Sequence, residues 1–244
     1  MNNQIITYRR RRFILVILTL CVIVGFAFYA QYQTQKSSSQ SLDQNQSAQI
    51  NPENLALNAL NKLEIKERGS REGYKRSNFS DGWAMVDGCD TRNRILQRDL
   101  SDKVLGEDLC VVLSGTLQKD PYTNKTIFFT RGKDTSDDIQ IDHVVALSDA
   151  WQKGAQALSP DERFDLANDP LNLLAVDGPT NMDKSDADAS EWLPEESYRC
   201  RYVARQIAVK VKYYLWVTRS EFNAMKRVLY SCPNQELPKQ ESGA

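Results

Sequence analysis

One histidine, His143, is the entire imidazole complement of this 244-residue chain. That scarcity excludes any site built on two imidazoles, such as an HExxH zinc centre or a finger with two cysteine and two histidine ligands. The five cysteines include no CxxC pair, which argues against a thiolate zinc knuckle. Charge of one sign is also missing. Lys+Arg is 31 against Asp+Glu 32, a net charge of −1, so no global basic field marks a protein that coats nucleic acid. No internal repeat is visible. Hydrophobic residues make up 41% and charged residues 26%, a globular balance that excludes wholesale disorder.

What the chain does have is unevenly placed. Arg9, Arg10, Arg11 and Arg12 precede residues 13–30, which carry no charge. As a helix that run is about 27 Å long, close to the ~30 Å hydrocarbon core of a bilayer. Basic residues before it predict the N-terminus inside and the rest outside. Residues 1–30 therefore read as a basic cytoplasmic tip and a transmembrane helix, with Cys21 a thiol within it. A cleaved signal peptide is the alternative, since Gly25-Phe26-Ala27 offers a small-x-small site. Residues 31–51 are rich in Gln, Ser and Asn and too polar to bury a core, so they read as a disordered tether. The folded body is expected over 52–234, opened by Asn51-Pro52-Glu53 as a helix N-cap with Pro at the first position. Residues 235–244 are left as a flexible tail.

Four cysteines remain in that body: Cys89, Cys110, Cys200 and Cys232. An even number in an exported domain predicts two disulfides. Of three possible pairings, Cys89–Cys110 and Cys200–Cys232 are favoured, because each is local and closes a loop of moderate length. Each would stabilise by ~2–4 kcal/mol.

The body reads as α+β. Segments 108–117 and 126–130 are β-rich and separated by Asp120-Pro121-Tyr122-Thr123-Asn124, turn chemistry that predicts a hairpin. Segment 139–145 is a further strand. Ser159-Pro160-Asp161-Glu162 is a capping box opening a helix to about residue 167. Residues 173–176 form a short apolar strand stopped by Asp177-Gly178-Pro179, and helix resumes after Thr180. Residues 200–216 are amphipathic: Val203, Ile207, Val211 and Tyr214 form one stripe, and Arg201, Arg205 and Lys212 share the other face. Thr218-Arg219-Ser220-Glu221 is a second capping box, opening a helix to about residue 230.

His143 follows Asp142 at the end of one strand. Asn172 starts the second short strand, and Asn181 lies just past a tight turn at a helix start. Strand, loop, strand, turn and helix carrying D-H, N and N is the layout of a ββα metal finger.

On these residues the chain resembles the HNH, or His-Me finger, endonuclease superfamily. More closely it is similar to secreted or surface bacterial HNH endonuclease family proteins, whose nuclease module is like the C-terminal domain of the GmrSD restriction enzyme. The resemblance is carried by IQIDHVVALSDAWQKGA from Ile139 and NDPLNLLAVDGPTNMDKSDADASEWLP from Asn168. Flanking matches are GCDTRNRILQRDL, SGTLQKDPYT and CRYVARQIAVKVKY. Asn181 stands where many relatives carry histidine. The resemblance implies a ββα-metal core with a β-hairpin before it and helices after it. It implies hydrolysis of DNA or RNA; behind the N-terminal anchor this is expected outside the membrane, and a monomer is expected. Under it His143 takes the proton of the attacking water, as a neutral imidazole does near pH 7. Asp142 and Asn181 supply hard oxygens to Mg²⁺ or Mn²⁺, and Asn172 holds the loop bearing His143. Arg92 is expected to clamp the scissile phosphate, and Lys184, Arg201 and Arg205 to contact substrate. In a regular strand Asp142 and His143 point to opposite faces, so both serve one site only if the strand ends or bulges there.

Charge blocks leave the substrate surface open. Residues 161–196 sum to −9 and residues 199–227 to +7. The basic block with Tyr202, Tyr213 and Tyr214 suits a phosphate backbone, and equally a helix interface that neutralises the acidic one. The competing functions are a non-catalytic, disulfide-stapled binding module and a phosphodiesterase acting on another phosphate polymer.

Overall fold

The computed structural model describes residues 26–32 and 55–238. The chain divides into two units, residues 1–50 and 51–244. In the first, residues 26–32 are helical. The basic tip, residues 13–25 of the expected membrane helix with Cys21, and residues 33–51 of the tether lie outside the described residues, as do residues 239–244. Among the described residues no helix is long and apolar enough to cross a membrane.

The second unit is mixed α and β. It begins with α1 (Ala56–Leu60), a 3₁₀ turn (Arg76–Asn78) and a ribbon of β1 (Met85–Val86) with β2 (Cys89–Asp90). Helix α2 (Thr91–Asp99) follows, with Asp90 accepting from the Asn93 amide as its N-cap. Next comes an antiparallel sheet in the order β3 (Ser101–Leu105), β4 (Val112–Leu117), β5 (Ile127–Thr130). The expected hairpin is its β4–β5 half, paired from Ser114 with Thr130 to Leu117 with Ile127. Helix α2 and strand β3 were not visible in the sequence pattern.

Strand β6 (Ile139–His143) pairs antiparallel with β7 (Leu173–Asp177), and α5 (Gly178–Lys184) follows directly. Between the strands lie α3 (Leu147–Gln152) and α4 (Pro160–Asn168). The capping box at Ser159 is complete, with both reciprocal bonds to Glu162. Helix α5 starts earlier than its sequence suggests: Asp177 is its N-cap and accepts from Thr180, and Pro179 sits in the first turn. The tripeptide read as a stop is thus a start. Gly178 is obligatory there, since a Cβ would stand 1.9 Å from the Asp137 carbonyl oxygen. Helices α6 (Arg199–Lys212) and α7 (Arg219–Tyr230) complete the unit.

Ribbon β6–β7 separates two cores. Ile139, Ile141, Leu173 and Ala175 belong to the smaller, with α2 and the three-stranded sheet. Leu174 and Val176 belong to the larger, with α1, α6 and α7. Alternate side chains face opposite cores, and this is why 173–176 is an unbroken apolar run rather than an alternating one. Both disulfides pair as expected. Cys89–Cys110 spans 5.4 Å between Cα atoms and Cys200–Cys232 spans 6.4 Å.

Candidate active site

His143 is the last residue of β6 and is 6% exposed. Its Nε2 lies 2.8 Å from the Ala167 carbonyl oxygen, at the end of α4. A carbonyl only accepts, so Nε2 carries the proton and Nδ1 is the basic nitrogen. No hydrogen bond to Nδ1 is found among the described residues. Burial lowers the imidazole pKa to about 3, with the positive charges of Arg76 and Lys184 adding to it against the Ala167 bond. The ring is therefore neutral at ordinary pH, the state a proton acceptor needs. Ala167 carries no sequence signal for this role, because a backbone carbonyl has none.

The loop after His143 is held by Asn172, which is fully buried. Its Oδ1 accepts from the Val145 amide at 2.9 Å, and its carbonyl accepts from Val144 at 2.8 Å. Its Nδ2 donates to the carbonyls of Val145 and Leu166, both at 3.3 Å. Asn172 thereby ties the end of β6 to α4, which carries the Ala167 carbonyl.

Asp142 points to the opposite side of β6, as strand alternation requires. The Tyr122 hydroxyl donates to its Oδ2, and Lys184 Nζ lies 3.0 Å from its Oδ1. The turn foreseen at 120–124 delivers Tyr122: Asp120 accepts from the amides of Tyr122 at 3.2 Å and Thr123 at 2.7 Å. Burial raises the Asp142 pKa, offset by Lys184 and by the bond from Tyr122. Lys184 is itself fully buried and donates a second bond to the His143 carbonyl at 3.0 Å. The substrate contact expected of Lys184 is thus replaced by an internal one that links both members of the D-H pair.

Asn181 sits on α5 one turn before Lys184. Its Nδ2 donates to Gln140 Oε1 at 2.9 Å, and its Oδ1 is buried without a partner. Gln140 lies two residues before Asp142 on the same face of β6, so it fixes which end of the amide is left free. Ser148 Oγ is also buried and unpaired. His143, Asp142, Gln140, Ser148 and Asn181 line one open cleft of about 460 Å³ with Arg76. A neighbouring pocket of about 380 Å³ shares His143 and Arg76 and adds Trp83 and Ala167.

Three expected substrate contacts lie elsewhere. Arg92 donates to the carbonyls of Ser136 and Ile139, both at 3.1 Å, so its guanidinium braces the entry to β6. Arg205 donates to the Pro170 and Leu171 carbonyls at 3.1 Å and caps the approach to β7. Arg201 is exposed and stacks on Tyr198 at 4.7 Å. None of the three lines either cleft. Two arginines do line the larger cleft, Arg71 and Arg76; Arg76, shared by both clefts, comes from the 3₁₀ turn far upstream, which sequence order could not connect to His143.

The neutralisation expected between the charge blocks is local. Lys212 pairs with Asp169 at 2.7 Å. Lys210 instead turns inward to Glu221 at 3.0 Å and Asp149 at 3.5 Å. Lys153 occupies the centre of that group, 2.6 Å from Asp149, 2.7 Å from Asp188 and 2.8 Å from Glu221.

Residues 90–228 match the family of GmrSD restriction endonucleases, C-terminal domain. The match takes in His143, Asn172 and Asn181 and more than half of the chain. The chain belongs to this family. It is also 35% identical over 181 residues to an uncharacterised secreted protein of Arthroderma benhamiae, covering 72% of this chain and 84% of that relative. Membership places the chain in a nuclease family. Two disulfides and a secreted relative agree with a location outside the cytoplasm.

Proposed function

We propose that this protein is an HNH-type, metal-dependent endonuclease that hydrolyses phosphodiester bonds of DNA or RNA outside the cytoplasm. The observation that carries the reading is the pairing, on one cleft, of a neutral oriented imidazole with an unpaired amide oxygen. His143 presents Nδ1 because Ala167 holds Nε2–H. Asn181 presents Oδ1 because Gln140 holds Nδ2.

Hydrolysis needs a proton taken from water and negative charge neutralised on the phosphate. His143 Nδ1 accepts the water proton. Asn172 acts as a positioning residue, keeping the strand end and the Ala167 carbonyl in register. The oxygens present suit a hard divalent cation: Asn181 Oδ1 and Ser148 Oγ are unpaired, and Asp142 contributes a carboxylate already positioned by Tyr122 and Lys184. These residues would hold Mg²⁺ or Mn²⁺, which would supply Lewis-acid chemistry to the phosphate there. Among the described residues no three His, Cys, Asp or Glu side chains group into a metal cage. The proposed site therefore rests on few protein oxygens. Tyr122 and Lys184 each take one oxygen of the Asp142 carboxylate, which fixes its orientation.

Residues 13–30 are proposed to anchor the body to the membrane with residues 31–51 as its tether, or to be removed on secretion. The basis is the uncharged run behind four arginines. The test of function is plasmid nicking with Mg²⁺, with Mn²⁺ and with chelator, for wild type, Asn181→Ala and Asn181→His. Asn181→Ala should raise the metal concentration for half-maximal nicking. Asn181→His should shift preference toward Ni²⁺ and Co²⁺, since imidazole nitrogen is the better donor for later metals. Equal titrations for all three would remove Asn181 from the site. No nicking under any metal would remove the function.

A further inference from the structure

Arg76 and Trp83 flank His143 from a segment outside the D-H, N and N pattern. Arg76 is exposed and lines both clefts that contain His143. Its positive charge reaches the imidazole. Other arginines near the site are engaged: Arg71 pairs with Asp186 at 3.6 Å, and Arg92 bonds to backbone carbonyls. Among the described residues Arg76 has no ion-pair partner. Its backbone is fixed by the 3₁₀ turn Arg76–Asn78, which the Phe79 amide closes onto the Arg76 carbonyl. The turn therefore places a guanidinium without an ion pair where the two clefts meet.

Trp83 supplies a different chemistry. Its ring is half-buried and nearly parallel to the His143 imidazole, with 9° between planes and 5.9 Å between centroids. It forms a wall of the smaller cleft, which is open to solvent and holds Arg76, Ser77, Ser80 and Asp81 as polar groups beside His143. The following residue is pinned to α4 by the Ala84 amide bonding Asn168 Oδ1 at 2.8 Å. Downstream, Cys89 is tied to Cys110. The indole is thus a fixed aromatic surface beside the proposed proton acceptor. A flat apolar ring next to such a guanidinium matches a nucleotide: the ring stacks a base, and the guanidinium takes the adjoining phosphate.

We infer that Arg76 and Trp83 form a nucleotide subsite of the His143 cleft, Arg76 binding a backbone phosphate and Trp83 stacking the base next to it in a single-stranded or locally opened strand. This rests on the nuclease reading and adds how the substrate is held. Stacking tolerates any base, so the subsite predicts little sequence preference and a preference for unpaired strands over closed duplex.

The experiment is fluorescence anisotropy of a labelled octathymidine on the full chain in chelator, where no metal-assisted cleavage intervenes, at several salt concentrations. Variants are Arg76→Ala, Arg76→Lys, Trp83→Ala and Trp83→Phe, each confirmed folded by its thermal transition. Arg76→Ala should lower the slope of log affinity against log salt by ~0.7, the share of one phosphate on a single strand, and Arg76→Lys should keep it. Trp83→Ala should weaken binding by ~10-fold with the slope unchanged, and Trp83→Phe should recover most of it. An octamer abasic at every position should bind wild type and Trp83→Ala alike. Unchanged slope in Arg76→Ala, or a Trp83→Ala loss that persists on the abasic strand, would overturn the subsite. Wild type binding as described but never cleaving with Mg²⁺ or Mn²⁺ would sink the nuclease reading and leave the subsite standing.

Discussion

Among the described residues fully buried lysines meet carboxylates in two places, and the two are built differently. Around Lys153 three carboxylates converge on one ammonium, Lys210 joins through Glu221, and Arg68 closes the outside with Asp188 at 2.9 Å. None of Lys153, Lys210, Asp149, Asp188 or Glu221 lines the clefts at His143. Burial pulls the Lys153 pKa down, but Glu221, Asp149 and Asp188 more than offset it and raise it overall. At β6 the same ingredients appear once: Lys184 on Asp142, with 0% and 7% of their side chains exposed. There the balance is left incomplete on one side, where His143 is neutral and Asn181 Oδ1 has no partner. A closed charge group fixes elements against each other. An incomplete one beside a cleft is available for a ligand.

The sharpest way to break this contrast is to exchange rate loss for stability loss. His143→Gln should lower nicking by ~10²–10⁴-fold, the usual share of a general base, while leaving the cooperative unfolding transition in place. His143 is buried rather than solvent-facing, so glutamine, which keeps a polar group near Ala167, is the better probe than alanine. Retention of more than a tenth of wild-type cleavage would remove His143 from the chemistry. The matching change in the closed group is Lys153→Met. It leaves Asp149, Asp188 and Glu221 facing each other in the interior, and breaking a buried ion pair by removing one partner costs ~3–5 kcal/mol. Urea unfolding should show that loss. A stable Lys153→Met with reduced cleavage instead would mean the two charge groups are not functionally distinct.

Titration sharpens the same comparison. His143 has its folded pKa lowered to about 3 by burial, whereas an unfolded histidine titrates near 6.5. A depressed folded pKa gives stability that is present above the unfolded value and lost as pH falls toward the folded one. Between pH 6.5 and pH 5 the unfolded chain takes up a proton that the folded chain refuses, a loss of about 2 kcal/mol. The difference in urea stability between wild type and His143→Gln should therefore shrink over that interval. Because the chain has one histidine, imidazole NMR signals report this site alone. Imidazole titration near pH 6.5 in the folded protein would show that the ring is not desolvated as described.

Much of this architecture was legible because it is local. The hairpin turn at Asp120, the N-cap at Ser159, the apolar run 173–176 and the two disulfides each follow from neighbouring residues. The D-H pair and both asparagines stand out in the sequence because they sit at the ends of recognisable elements, two strands and a helix start. What escaped was brought in from a distance. Arg76 and Trp83 reach His143 from 67 and 60 residues upstream, Tyr122 reaches Asp142 from the hairpin turn, and Lys184, expected at substrate, bonds Asp142 instead. Ala167 acts through its backbone. Arg92 stands out by its place beside Cys89 and Arg205 by its basic segment, yet both spend donors on carbonyls near β6 and β7. Helix α2 was missed because its mean character is polar and its buried face is short, with only Ile95 and Leu96 as large buried apolar residues.

The smallest prediction concerns two identical-looking caps. Ser159-x-x-Glu162 and Thr218-x-x-Glu221 carry the same pattern. In α4 the Glu162 carboxylate returns to the Ser159 amide at 2.8 Å. In α7 Thr218 accepts from the Glu221 amide at 3.2 Å, but the Glu221 side chain leaves the cap for Lys153 and Lys210. Tertiary charge has overridden the local motif, because two buried ammonium groups attract a carboxylate more than one backbone amide does. If the closed group begins at the Glu221 side chain, Thr218 is only a cap. Ser159→Ala and Thr218→Ala should then each cost ~1 kcal/mol, read from urea midpoints with unchanged slopes. A loss of several kcal/mol from Thr218→Ala alone would extend the charged group through the hydroxyl. The line between what holds the fold and what merely starts a helix would have to be redrawn there.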